Sequence, residues 1–318
     1  MLIPIIAILV GLVVLIWSAE RFVEGASGLA MACGVSSFLI GVIVVGFGTS
    51  APELSVSVFS ALDNAEELIL GNAYGSNITN IALILGFTAM IAFIPMPKII
   101  VRRDLLLLIL STLLTLGLIY DGVISKLDAF IMLLYFALVI GYQIYIGLKN
   151  KEFPETTEIA TPKKSIGKNI FLLLLGLVLL IASSRLLVYG ATEIAVALGV
   201  SDLVIGLTIV AIGTSLPELA SSVIAAKKGD TGLALGNIIG SNLFNTLVVI
   251  GIPGLISDIS VNAIILKRDF PLMLFLTVIL FPLGFRLKRD GKIGRFAGLF
   301  LVAIYVSYLI YLIYTAKV

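Results

Sequence analysis

Two glutamates sit where an ionisable group is costly. Glu53 lies in Gly48-Thr49-Ser50-Ala51-Pro52-Glu53 and Glu218 in Gly213-Thr214-Ser215-Leu216-Pro217-Glu218, each inside a long apolar run. A charged side chain at membrane depth costs about 2.5–3.5 kcal/mol on insertion scales, so two such groups call for a compensating partner. No Lys or Arg accompanies them in the helix centres. A bound cation is the partner that fits; a protonated Glu hydrogen-bonded to a neighbouring helix is the alternative. Pro52 and Pro217 each remove an amide donor and clash with the turn before. Gly46, Gly48 and Gly213 loosen the same stretches. The helices are expected to break there and free carbonyl oxygens around Thr49 and Thr214. Free carbonyls are tolerated at this depth only where they line a cavity or face protein. Carbonyl, carboxylate and hydroxyl oxygens make a hard, all-oxygen site, which suits Ca²⁺ better than a soft metal.

A second motif follows each acid. Gly71-Asn72, Gly75-Ser76-Asn77 and Asn80 match Gly236-Asn237, Gly240-Ser241-Asn242 and Asn245. The Gly71/Gly75 and Gly236/Gly240 spacing lets helix backbones approach closely. Ser76, Ser241, Asn80 and Asn245 are read as cavity lining. Asn72, Asn77, Asn237 and Asn242 suit either ligation or interhelical hydrogen bonding. Asp63, Glu66 and Glu67 are read as a solvated acidic loop, and Glu20, Arg21, Glu24, Arg185 and Glu193 as lying near span ends.

The elements that hold these residues must be membrane helices. Of 318 residues, 60% are hydrophobic and 13% charged, with mean hydropathy +1.18, against about 45–50% and 25% in soluble domains. That excludes a cytosolic enzyme. A net charge of +2 argues against nucleic-acid binding, and the absence of His with one Cys, Cys33, excludes an intramolecular disulfide and thiolate or imidazole metal clusters. Ten stretches are long enough to span: 2–19, 38–60, 69–94, 104–120, 127–148, 170–188, 203–226, 232–256, 270–285 and 296–314. The first is read as a membrane helix, not a cleaved signal. The polar stretch 149–169 reads as a linker. With that loop cytoplasmic, 16 of the 21 Lys and Arg fall on the cytoplasmic side. The expectation is a multi-pass protein of the cell (plasma) membrane with both termini extracellular.

The chain also repeats itself. At an offset of 165 residues, segment 38–86 aligns with 203–251 without a gap, with 21 of 49 positions identical. Gly11, Ser18, Gly25 and Gly34 pair with Gly176, Ser183, Gly190 and Gly199 at the same offset. Five spans per half is an odd number, so the second copy inserts upside down. Inverted repeats characterise secondary transporters, with the binding site near the midplane. The predicted fold is an all-α polytopic membrane protein, ten helices in two inverted five-helix repeats, 1–148 and 170–318, with helices two and seven broken.

Paired GTS-x-PE segments, each followed by GN-xx-GSN, resemble the two repeats of the Ca²⁺:cation antiporters, and most nearly the prokaryotic sodium/calcium exchangers. The resemblance covers essentially the whole chain. It implies that Glu53 and Glu218 share Ca²⁺ and Na⁺, that Thr49 and Thr214 supply carbonyls, and that Ser50 and Ser215 supply central hydroxyls. It also implies that Gly46 and Ala211 offer carbonyls to Na⁺, that Ser76 and Ser241 serve outer Na⁺ sites, and that Asn80 and Asn245 form a mid-site polar pair. Asn245 stands where potassium-dependent members carry Asp, and the GN motifs lack the Glu typical of proton/calcium exchangers. The expected function is electrogenic, K⁺-independent Na⁺/Ca²⁺ antiport by alternating access; the alternative is an H⁺/Ca²⁺ antiporter. Ca²⁺, Na⁺ and the bilayer are the expected partners, with no enzymatic activity, no cofactor, no nucleic acid and no obligate protein partner.

Overall fold

A computed structural model describes residues 2–63, 65–150, 165–199, 205–284 and 291–315. The first half contains α1 (Leu2–Cys33), α2 (Ser37–Thr49), α3 (Ala51–Leu62), α4 (Glu66–Ile91), α5 (100–118) and α6 (Lys126–Asn150). The second contains α7 (Ile166–Ala197), α8 (206–214), α9 (Leu216–Lys227), α10 (Thr231–Ile256), α11 (265–284) and α12 (Arg295–Thr315). Among the described residues, α1, α4, α6, α7, α10 and α12 are long and apolar enough to cross a membrane. The bent pairs α2–α3 and α8–α9 raise that number to 8 if each is one span. The chain is a multi-pass membrane protein.

Several sequence expectations need correction. α1 continues to Cys33 instead of ending at residue 19. Arg21 and Glu24 lie one turn apart and pair at 2.8 Å, so the charged turn joins the helix instead of ending it. Residues 149–150 and 166–169 of the expected linker are helical, and 151–164 lie outside the described residues. The fold is not purely α. β1 (Ile94–Met96) pairs antiparallel with β4 (Gly291–Ile293), and β2 (Val123–Ile124) with β3 (Ile259–Ser260). Each ribbon ties a loop of one half to a loop of the other, satisfying backbone groups that a buried loop would leave unpaired. Glu66 and Glu67 are not simply solvated: Glu66 accepts from the Ser260 amide (2.6 Å) and Glu67 from the Asn262 side chain (2.8 Å).

The repeats meet along α1 and α7. α1 and α7 cross antiparallel, each bringing glycines against the other's backbone. A Cβ on Gly176 would stand 2.5 Å from the Phe22 amide, and one on Gly25 2.5 Å from that of Leu173. The 165-residue offset maps these contacts onto Gly11 with Leu187 and Gly190 with Ile8. The offset extends further than the motifs. α5 and α11 both open on a π-helical turn, Ile100–Asp104 and Ile265–Asp269, in which an Arg grips the next residue's buried carboxylate. Asp104 also accepts from Gln143 of α6 (2.9 Å), and Asp269 from Tyr308 of α12 (2.9 Å). α10 runs through the centre and is buried continuously from Leu233 to Gly251.

Candidate functional site: a cation centre between two broken helices

The two breaks fall on corresponding residues. Ser50 (φ −85°, ψ 8°) and Ser215 (φ −92°, ψ 7°) leave helical geometry, and the flanking helices bend by 44° and 53°. Pro52 and Pro217 then sit in the first turn of α3 and α9, where a missing amide costs nothing. The carbonyls left without their proline partners are those of Gly48 and Gly213, one residue before the threonines. Ser184 of α7 fills one vacancy, donating to the Gly213 carbonyl at 2.5 Å.

Each break delivers a glutamate to the first turn of the following helix. Both are fully enclosed, Glu53 at 0% and Glu218 at 1% exposure. Ser50 donates to Glu218 Oε1 at 3.1 Å, crossing from one repeat to the other. The mirror hydroxyl, Ser215 Oγ, is buried without a hydrogen-bond partner among the described residues.

The asparagines resolve into distinct roles. Asn72 Nδ2 donates to the Glu53 carbonyl (2.8 Å) and Ser57 (2.9 Å). Asn237 repeats this on the Glu218 carbonyl (3.3 Å), Ser221 (3.0 Å) and Ser222 (2.8 Å), and its Oδ1 accepts from Thr49 (3.1 Å). These two hold the Glu-bearing turns. Asn77 donates to Thr246 of α10 (2.8 Å), and Asn242 to its own helix at Ile238 (2.6 Å). Asn80 and Asn245 behave differently. Both are buried, and neither side-chain oxygen nor nitrogen has a hydrogen-bond partner among the described residues. They follow Asn72 and Asn237 by two helical turns, with Ser76 and Ser241 between, so each set shares the helix face that meets the glutamates.

The orphaned polar atoms decide what the cavity suits. Both oxygens of Glu53, Oε2 of Glu218, Ser215 Oγ and the amides of Asn80 and Asn245 are buried without partners among the described residues. Native proteins rarely leave such groups unmatched. An oxygen-rich, doubly acidic cluster is matched by a hard cation. Among the described residues no three acidic, His or Cys side chains converge, so the charge stops at two carboxylates. Ser76, Asn80, Asn245, Ala211 and Thr214 make no direct hydrogen bond to either carboxylate among the described residues; helix register alone aligns them.

The two halves of the site are not in the same state. Gly46 is buried on α10, and Ser241 Oγ donates to its carbonyl at 3.2 Å. Its counterpart Ala211 is exposed. Val45 is 1% exposed and its counterpart Val210 41%. Gly236 and Gly240 are buried under α2, whereas Gly71 is exposed and Gly75 half-buried. One half-helix is closed onto its partner; the other stands off.

Arg103 and Arg268 enter the sequence reading only within the count of Lys and Arg on each side, which does not reveal their buried Asp partners. The 165-residue offset, carried past residue 86, pairs Arg103-Asp104 with Arg268-Asp269 and would have exposed them.

Comparison with known proteins follows the same lines. The chain matches the family described as sodium/calcium exchanger protein over residues 3–145 and 168–314. It is 42% identical to the provisionally named antiporter CaxA of Alkalimonas amylolytica, over 97% of this chain and 98% of that one. It is 30% identical to the sodium/calcium exchanger MaX1 of Methanosarcina acetivorans, over 96% and 97%. A solved structure of the sodium-calcium exchanger NCX_Mj superposes with a TM-score of 0.82 at 31% identity, covering 96% of both chains.

Proposed function

Since the chain belongs to the sodium/calcium exchanger protein family, and is thereby a membrane antiporter of Ca²⁺ and another cation, we propose that the counter-ion is Na⁺. The observation that carries the reading is the orphaned, doubly acidic oxygen cluster at Glu53 and Glu218. One Ca²⁺ neutralises two carboxylates. Na⁺ ions occupy overlapping oxygens instead, using the hydroxyls of Ser50, Ser215, Ser76 and Ser241, the carbonyls near Gly46, Thr49, Ala211 and Thr214, and the amides of Asn80 and Asn245. The two loads compete for the same acids, so full double occupancy is opposed by repulsion. An empty site leaves buried charge uncompensated and resists movement. Loaded states of either kind move, and Na⁺ influx drives Ca²⁺ efflux without ATP.

The unequal half-helices support alternating access. In the opposite state, α8 closes onto Gly71 and Gly75 while α2 leaves Gly236 and Gly240. Counting α5 and α11, together with each broken pair, as single spans gives ten, five per inverted half, with the termini outside and the linker cytoplasmic by the charge rule. More oxygen positions than charges favour more than two Na⁺ per Ca²⁺ and net charge movement. Two carboxylates, with Asn at 245, favour independence from K⁺.

The test is Ca²⁺ uptake into Na⁺-loaded proteoliposomes diluted into Na⁺-free buffer, with K⁺ and pH equal across the membrane. Uptake that vanishes without internal Na⁺ supports the reading. If more than two Na⁺ leave per Ca²⁺, net positive charge leaves the vesicle, so an inside-positive potential should accelerate uptake and an inside-negative one should slow it. Uptake driven only by a pH gradient would establish H⁺/Ca²⁺ exchange instead.

A further inference from the structure

We propose that the groove between α11 and α12 seats one anionic phospholipid, its phosphate at Lys267 and one acyl chain along α12. The groove has a volume of about 630 Å³ and is open to the side. Its walls are mostly apolar, with Leu272 on α11 and Phe300, Ala303 and Ile304 on α12. Lys267 and Arg268 stand at one end. Arg268 is committed to Asp269 at 2.7 Å, so those two charges cancel. Lys267 is exposed and pairs with no acid among the described residues, which leaves that end with a net positive charge.

The dimensions fit one leaflet. The Tyr308 hydroxyl bonds Asp269, which fixes the register of the two helices at the cationic end, and Tyr311 follows one turn beyond. From Tyr311 to Phe300 the α12 axis covers about 16 Å at ~1.5 Å per residue. That is half of a ~30 Å hydrocarbon core. A cation beside tyrosines at the interface, above an apolar channel one leaflet deep, complements an acidic headgroup with its chain below.

The first repeat supplies an internal contrast. It has the same charged turn, Arg102, Arg103 and Asp104, with Gln143 in the place of Tyr308. At the positions of Ala303 and Ser307, however, it carries Leu138 and Tyr142. The small side chains are peculiar to the second half, and they open the wall.

Native mass spectrometry of the full chain in mild detergent tests this, with phosphatidylglycerol and phosphatidylcholine of matched chains. One phosphatidylglycerol per chain is expected, preferred over phosphatidylcholine about fivefold, the worth of one lysine at a membrane surface. Ala303→Leu with Ser307→Tyr should remove the bound lipid of either headgroup. Lys267→Gln should keep a lipid but abolish the preference. Undiminished binding in the filled variant overturns the proposal. So does a dimer that disappears in that variant, which would put a second copy of the chain in the groove. Should the filled variant fail to fold, Lys267→Gln decides alone, because an exposed side chain carries no packing: an unchanged preference overturns the assignment.

Discussion

Alanine at Gly240 and at Gly75 should push the conformational equilibrium in opposite directions. A Cβ on Gly240 would stand 2.3 Å from the Val42 carbonyl oxygen and 2.7 Å from its Cα. Both are backbone atoms, about 1 Å inside ordinary contact, so no side-chain rotation relieves the clash and α2 must move off α10. Overpacking of this kind costs about 1–3 kcal/mol. At Gly75 no atom of the described residues lies within 4 Å of the added Cβ. There the substitution is free in the present state and penalises the opposite one, in which α8 closes. The expected population shifts are about 5- to 150-fold, of opposite sign. The reporter is Ala211→Cys in a Cys33→Ser background, labelled with a water-soluble maleimide, because Ala211 is exposed here, where α8 stands off, while its counterpart Gly46 is buried where α2 is closed. Gly240→Ala should slow labelling and Gly75→Ala should raise or saturate it. Ca²⁺ transport should fall in both. Labelling that moves the same way in both variants, with melting temperatures showing intact folds, would refute the exchange of packing between halves.

Other substitutions probe the site and its supports. Glu53→Gln or Glu218→Gln halves the site's charge and should cut Ca²⁺ uptake more than tenfold; near-normal uptake in both would remove the shared-carboxylate mechanism. Asn237→Ala strips the Glu218 turn of its hydrogen bonds and should lower stability by about 1–3 kcal/mol, more than Asn72→Ala, whose site is half-buried; detergent melting curves compare them. Asp104→Ala removes the buried carboxylate to which both Arg103 and Gln143 donate and should lower stability by about 1–3 kcal/mol. Asp269→Ala should cost less, since the Arg268 side chain is 30% exposed and reaches water.

Much of the site was legible because the sequence repeats. The matched GTS-x-PE segments located both breaks and both acids, and the structure puts the turns at Ser50 and Ser215. The roles of the asparagines were not legible. An Asn on a helix face is equally able to ligate or to hydrogen-bond, and only the three-dimensional register assigns Asn72 and Asn237 to the backbone while leaving Asn80 and Asn245 unpartnered. The end of α1 was misread because Glu20, Arg21 and Glu24 look like an interface until the Arg21–Glu24 pair is seen. The short ribbons were invisible, since two- and three-residue strands at loop ends carry no periodicity to detect.

A symmetric repeat alone would give two states of equal energy, so the bias between them must come from positions where the halves differ. One such position is built into the turn before α10. Asp230 caps that helix, accepting from the Leu233 amide at 3.0 Å, and also accepts from Ser27 Oγ of α1 at 2.7 Å. The offset carries Asp230 onto Ala65, which has no acceptor side chain, and Ser27 onto Thr192, whose hydroxyl has no partner among the described residues. α1 is thus latched to the second repeat in a way that α7 is not latched to the first. Ser27→Ala removes the latch but leaves the helix cap intact. A buried hydrogen bond is worth about 1 kcal/mol net, so the present state should lose about fivefold in population, read as slower labelling at Ala211→Cys. Thr192→Ala should leave the rate unchanged. Equal effects of the two substitutions would mean that the difference between the halves lies elsewhere.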